Sequence, residues 1–287
     1  MGYSNIIAIL SGAADDTDTL TTAASLAQSS GGIIRIILAL PVAAASIWVD
    51  AFGGAYLAED AVRVISEANA AIRHRTSALA EEIAATVGFE CGPGDTGRRI
   101  EMADATETAW LALMREAPLA DLILMGESVA RGEGFWSGVA AEALMVVRSP
   151  ILLVRSKAPL KGEVAVVAWN GSLAAGRAVR AAIPLLQAAG SVVIVQDPEG
   201  LSAAEQSAAC PYKLKEELER RGVAGISIKE VSGGREGPRL VAAAKAAGAG
   251  LLVSGAYGHS RLGEAIFGGA TRTFVLADFD AHHLLAH

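Results

Sequence analysis

Short, wholly apolar runs alternate with longer amphipathic stretches along the chain. The first run, Ile6 to Leu10, stops at Ser11-Gly12. Runs of this kind, bounded by turn residues, predict strands buried on both faces of a parallel sheet. Asp18 to Ser29 follows, with Leu20, Ala23, Ala24, Leu26 and Ala27 at helical spacing behind the capping residues Asp15, Asp16 and Thr17. Gly31-Gly32 ends this helix, and Ile33 to Leu40 predicts a second strand halted by Pro41. Val42 to Ala58 reads as irregular and Gly-bearing, with Trp48, Phe52 and Tyr56. A long helix is predicted from Glu59 to about Thr86, stopped by Gly88. Phe89-Glu90-Cys91 predicts a third strand, Thr106 to Glu116 a helix, Leu119 to Met125 a fourth strand, Glu142 to Arg148 part of a helix, and Pro150 to Arg155 a fifth strand.

A polar, turn-rich stretch, Ser156-Lys157-Ala158-Pro159-Leu160-Lys161-Gly162, then separates two copies of the pattern. Val164 to Trp169 predicts a strand ending at Asn170-Gly171-Ser172. A helix follows over Ala174 to Ala189, a strand over Ser191 to Gln196, and a charged helix over Tyr212 to Arg221. Ile226 to Val231 is a strand, Pro238 to Ala247 a helix, and Gly250 to Ser254 a strand. A helix over Ala270 to Leu276 and a short segment, His283 to Ala286, complete the chain. The division expected is a first domain over 1–155, a linker over 156–162 and a second domain over 163–287. Alternating strands and helices imply parallel sheets covered on both faces. The first half carries about 30 extra residues, placed around 42–67.

Composition and charge narrow the function. The chain has 287 residues, 52% of them hydrophobic, which suits two domains with real cores. A net charge of -7 and the absence of a basic run argue against nucleic acid as a partner. No apolar run is long enough to span a bilayer, and the N-terminus lacks the pattern of a secretory signal, so a cytoplasmic protein without membrane contact is expected. Cys91 and Cys210 lie in no redox or metal-ligand spacing. His282-His283 and His287 sit on or beside a terminal strand with no acidic or Cys partner arranged around them, which favours a surface or interface role over a metal. No nucleophile–base pair is recognisable, so no catalytic residue is assigned.

The most informative stretch is Leu251-Leu252-Val253-Ser254-Gly255-Ala256-Tyr257-Gly258-His259-Ser260-Arg261, continued to Gly268-Gly269-Ala270-Thr271. An apolar strand breaks at a glycine pair, and a second pair precedes a predicted helix. Glycines at a strand end allow close backbone approach to a ligand, and a helix start offers free N–H groups to an anion such as phosphate. Together with the tandem repeat, this resembles the universal stress protein family in its tandem form. The family's nucleotide loop reads G-x2-G-x9-G followed by Ser or Thr. Gly255, Gly258 and Gly268 fit it. Gly269 stands where the hydroxyl residue is usual, with Thr271 two positions late. Val166-Val167-Ala168-Trp169-Asn170-Gly171-Ser172 is similar to the family's first strand and turn, with Asn170 where Asp is common.

The resemblance implies an α/β fold of two Rossmann-like or flavodoxin-like domains, each with a five-stranded parallel sheet, paired as an intrachain pseudo-dimer. It leaves a further homodimer and an unidentified protein partner open. It implies ATP or a related adenine nucleotide, with Mg as counter-ion, at the carboxyl ends of the second half's strands. The residues this assigns are Asn170, Gly171, Val195, Gln196, Gly255, Gly258, His259, Arg261, Gly268, Gly269, Ala270 and Thr271. Arg261 faces a phosphate, Val195 and Gln196 line the adenine side, and Asn170 bonds base or ribose. The first half departs from the pattern. Val129 replaces the second glycine, Gly138 is one residue too close, and Glu127 and Glu133 oppose an anion. The expected role is a stress-response regulator or binding module. Two alternatives stay open: an adenylating or ATP-hydrolysing enzyme, suggested by a faint echo of a pyrophosphate loop in Ser11-Gly12-Ala13-Ala14-Asp15-Asp16, and a nucleotide-free scaffold for a protein partner. The aromatics of the insertion are expected to plug the core or the seam between halves.

Overall fold

The computed structural model describes all residues except 1, 41–46, 50–54, 58, 95–96, 105–107, 132–142, 144–146, 156–159, 161, 202–208, 234–235 and 257–279. The predicted helix over Ala270 to Leu276, together with Phe52, Glu133 and Gly138, lies outside the described residues.

In the first half the elements are β1 (Asn5–Leu10), α1 (Asp16–Gln28), β2 (Ile33–Leu38), β3 (Ile47–Val49), β4 (Ala55–Leu57), α2 (Glu59–Val87), β5 (Glu90–Cys91), β6 (Arg99–Met102), α3 (Ala109–Glu116), β7 (Leu122–Gly126), α4 (Glu127–Arg131) and β8 (Ile151–Val154). The second half holds β9 (Val164–Ala168), α5 (Leu173–Ala188), β10 (Ser191–Gln196), α6 (Pro211–Arg220), β11 (Ile226–Glu230), α7 (Glu236–Ala246), β12 (Ala249–Gly255) and β13 (His282–Ala286). All strands but β3 and β4 form one 11-stranded sheet in the order β11-β10-β9-β12-β13-β8-β7-β1-β2-β6-β5. Pairing within each half is parallel; β13 and β8 meet antiparallel, with His283 opposite Leu153 and Leu285 opposite Ile151. The halves are thus joined through their last strands, and the carboxyl edges of their sheets face opposite ways.

The period-2 rule assigns each strand's side chains to two layers. In β1, Ile6, Ala8 and Leu10 join a core with α1, α2, α5 and α6, and that core runs unbroken across both halves. Ile7 and Ile9 join a second core under α3 and α4. A third core beneath α7 holds Val166, Val195 and Leu252. All of these strand residues have essentially no exposed surface, and each Ile or Leu so buried contributes about 1.5–3 kcal/mol relative to exposure. Caps follow the sequence: the Thr108 side chain accepts from the Leu111 N–H at the start of α3, and Ser172 accepts from the Ala175 N–H at the start of α5.

The structure corrects four expectations. The first half contributes six strands rather than five, because β6 takes the place beside β2 and the predicted third strand, β5, becomes a two-residue outer edge. Arg99-Ile100-Glu101-Met102 alternates charged and apolar residues, as a strand near a sheet edge does, and this short alternation escapes a search for apolar runs. The stretch read as irregular contains the antiparallel pair β3–β4, with Trp48 opposite Tyr56 in register. The fourth strand begins at Leu122 because a single 3-10 turn over Ala117–Leu119, with Pro118, occupies its predicted start. Finally, β13 lies at the seam of the sheet and not on its surface: His282 and His283 are fully buried. Among the described residues no helix is long and apolar enough to cross a membrane.

Candidate functional site

The two halves can be compared at the end of their fourth strands, where the resemblance places phosphate. In the first half a Cβ added to Gly126 would lie 2.3 Å from an Asp15 carboxylate oxygen. That carboxylate accepts a hydrogen bond from the Ser128 N–H at 2.8 Å and another from the Ser128 hydroxyl. The neighbouring Asp16 accepts from the Gly12 N–H at 2.6 Å and from the Ser11 N–H at 3.1 Å. The chain's own carboxylates therefore take the backbone donors that the two turns present. Burial pushes the Asp16 carboxyl up to about 6; the Ser11 and Gly12 N–H groups pull it down, and Asp15 beside it adds to the rise. Glu127 does not act alone: it pairs with Arg131 at 2.9 Å and with Arg155 at 3.2 Å. The feature that fills this corner is Asp15, and the charge of Glu127 is compensated.

In the second half a Cβ on Gly255 would lie 2.7 Å from the backbone nitrogen of Ala175 and 3.0 Å from the carbonyl carbon and Cβ of Ala174. The strand end packs on the start of α5 just as Gly126 packs on the start of α1, but Ala174 stands where Asp15 stood. Gly255 is needed for this close approach of two backbones, whatever else it does. Beyond it, the Ala256 N–H donates to the Ala286 carbonyl at 2.7 Å, and Arg177 donates to the His287 carbonyl at 2.7 Å. The start of the glycine loop is thus anchored to the end of β13.

The other assigned residues divide into two groups. Asn170 and Gly171 form the turn after β9: the Asn170 side-chain oxygen accepts from the Ser172 N–H at 3.1 Å, and Gly171 has φ +71°. Only glycine adopts that φ without strain, and a Cβ there would also lie 2.6 Å from Ala209. Val195 is fully buried in the core beneath α7. Gln196 is buried and donates from Nε2 to the Ala209 carbonyl at 2.7 Å, the same carbonyl that accepts from the Trp169 indole at 2.9 Å. Ala209, which sequence reasoning left unmarked, is therefore what fills the space beside Asn170, Gly171 and Gln196. Gly258, His259, Arg261, Gly268, Gly269, Ala270 and Thr271 lie outside the described residues, so the phosphate side of the site is represented here by Gly255 and Ala256 alone. Among the described residues no group of three or more His, Cys, Asp or Glu is placed to hold a metal ion.

Comparison of the whole chain with solved structures returns the same architecture. A universal stress protein from Archaeoglobus fulgidus superposes with a TM-score of 0.65 at 13% identity, covering 98% of this chain and 96% of that one. This is the tandem universal stress protein fold. A candidate universal stress protein from Pseudomonas aeruginosa superposes with a TM-score of 0.54 at 12% identity, over 99% of this chain and 93% of that one. The cytoplasmic domain of a prokaryotic cation chloride cotransporter gives 0.52 at 11% identity, over 99% and 95%. No protein-family model matches the sequence, and no curated protein is similar to it.

Two further clusters at the carboxyl edges and seam of this universal stress fold were not marked by the sequence. Asp197, buried at the end of β10, is paired with Arg239 on α7, and Glu199 reaches the same guanidinium at 3.5 Å. At the seam, the Ser254 hydroxyl and His283 Nε2 are 2.8 Å apart and both residues are buried. Burial, and then the nearby Arg155, depress the His283 pKa well below 6.5, so its ring is neutral. Arg155 is itself lowered by burial and held by Glu127. Two polar pairs therefore lie at the seam, Glu127 with Arg155 and His283 with Ser254.

Proposed function

We propose that the chain is an adenine-nucleotide-responsive binding module of the universal stress type, with its one nucleotide site in the second half. The observation that carries this reading is the exchange at the fourth-strand turn. Asp15 fills the corner beside Gly126, whereas Ala174 takes its place beside Gly255, so among the described residues no carboxylate stands there. An anion meets the Asp15 charge in the first half, and among the described residues no carboxylate takes that place in the second. On this reading ATP or a related nucleotide is held by Gly258, Arg261, Gly268 and Thr271 of the loop, with Asn170 toward the ribose and Mg supplied with the phosphates. The first half serves as the structural partner in an intrachain pseudo-dimer. Asp15, the residue an adenylating enzyme would draw on, is committed to Ser128, which favours a binding module over an enzyme. A cytoplasmic setting fits this role.

The test is thermal. A ligand specific for the folded state raises Tm, by RT ln(1 + [L]/Kd) in free energy. ATP and ADP at millimolar concentration are expected to raise Tm; Gly258→Val removes the rise, and Val129→Gly leaves it intact. No shift with either nucleotide overturns the proposal in favour of the protein-binding scaffold.

A further inference from the structure

A cavity of about 260 Å³ opens on the outer surface of the second half, between α5 and α6. Its apolar part is built by Trp169, Val179, Ile183 and Leu214. Trp169 is half-buried and its ring is fixed by the indole donation to the Ala209 carbonyl, so it offers a set aromatic surface. The rim is charged and unevenly so. Arg180 and Arg221 stand on opposite helices, with Glu217 the one acidic residue of the lining. Glu217 is already neutralised: Arg221 donates to it at 2.6 Å, and Arg220 pairs with it as well. The Arg221 hydrogen bond holds the Glu217 carboxyl below its ordinary range. Arg180 is exposed, and its guanidinium has no hydrogen-bond or ion-pair partner among the described residues. Gly176 keeps the wall low, since a Cβ there would meet only the tip of Arg180, at 3.4 Å.

We propose that this groove is a binding site for a small planar aromatic carboxylate of one or two rings. The volume lies just under the usual range for drug-sized ligands, about 300–1,000 Å³. The indole and the aliphatic wall suit a flat apolar body. The residual charge is positive, and a guanidinium recognises a carboxylate through paired N–H donors. The groove is lined by no residue of the glycine loop, although Trp169 adjoins Asn170, which the proposed nucleotide site places toward the ribose.

The experiment uses the full chain, with 2-naphthoate as the anionic probe and 2-naphthalenemethanol as its neutral counterpart, both measured by calorimetry and by Tm. Binding of 2-naphthoate is expected, at least tenfold tighter than the alcohol. Arg180→Ala, at an exposed position, is expected to erase that tenfold preference without lowering Tm. Gly176→Leu, which improves helix propensity while filling the groove, is expected to abolish binding of both probes in a protein at least as stable as the parent. Equal affinity for acid and alcohol, unchanged 2-naphthoate affinity in Arg180→Ala or in Gly176→Leu, or no binding at millimolar probe each overturns the proposal.

Discussion

His283 and Asp16 make opposite demands on protons, and their opposition gives a sharp test of the buried chemistry. Asp16 has a folded pKa near 6 against an ordinary 3.8, so the folded state holds its proton more tightly than the unfolded chain. Its contribution to stability is complete below about 4 and is lost as pH rises through about 6, a swing on the order of 3 kcal/mol at 1.36 kcal/mol per unit. His283 is displaced in the other sense: its folded pKa lies well below 6.5, so it costs nothing above that value. As pH falls below 6.5 the unfolded chain takes up a proton that the folded histidine refuses, and stability falls by up to about 1.4 kcal/mol per pH unit. Below pH 6 the two slopes oppose each other. His283→Gln keeps a polar atom near Nε2 for Ser254 but does not titrate. Relative to the parent it should therefore gain stability as pH falls from 6.5 to 4.5, by at most about 1.4 kcal/mol per pH unit. Asp16→Asn should lose about 2–3 kcal/mol relative to the parent over pH 6 to 4, and the double variant should show the two effects opposed. Urea-unfolding midpoints at half-unit pH steps and constant ionic strength measure this. Curves for His283→Gln and Asp16→Asn that run parallel to the parent across this window would refute the reasoning.

Two packing predictions follow from the turns. Gly255→Ala forces a Cβ against the Ala175 nitrogen and Ala174 carbonyl carbon, which are backbone atoms that cannot swing aside; a loss of about 1–3 kcal/mol is expected in a denaturant titration. Asp15→Ala leaves the Ser128 N–H and hydroxyl without their acceptor and should cost about 1–3 kcal/mol, measured the same way. The nucleotide-induced rise in Tm should survive it, and a nucleotide response that depends on Asp15 would support the adenylating alternative instead.

The strands β9, β10 and β12 of the second half could be read from sequence because they are continuous apolar runs bounded by turn residues such as Asn170-Gly171, Gly190 and Gly255, and protein covers them on both faces. The long α2 was legible for the complementary reason: it runs from Glu59 to Val87 with no breaker until Gly88. The misreadings fall where local pattern and tertiary position part company. Arg99 to Met102 looks like a polar turn until β2 pairs with it, and its charges find partners only in three dimensions: Arg99 on Glu101, and Arg35 on Glu101 and Glu116. His282-His283 looks like a polar terminus because nothing local marks a seam strand. Only the antiparallel pairing with β8 places both rings under two layers of protein. Glycine spacing drew attention to Gly255 as a ligand contact, and the structure adds a backbone contact with α5 that spacing alone does not contain.

The same glycine also shows why sequence repeats and sites need separate arguments. Gly126 and Gly255 occupy equivalent turns and approach the starts of equivalent helices, α1 and α5. A glycine in each copy is what the fold demands, since either Cβ would strike the helix start. What differs is the residue on the helix: Asp15 in one copy, Ala174 in the other. One carboxylate, bonded to Ser128, fills the first turn from within while leaving the strand, the glycine and the helix in place. Between the two turns lie two polar pairs, Glu127 with Arg155 and His283 with Ser254, the Arg155 charge acting on His283. Fold is therefore carried by the features the copies share, and Asp15 against Ala174 is one of the differences, beside Val129 against Gly258, on which the proposed nucleotide response would turn.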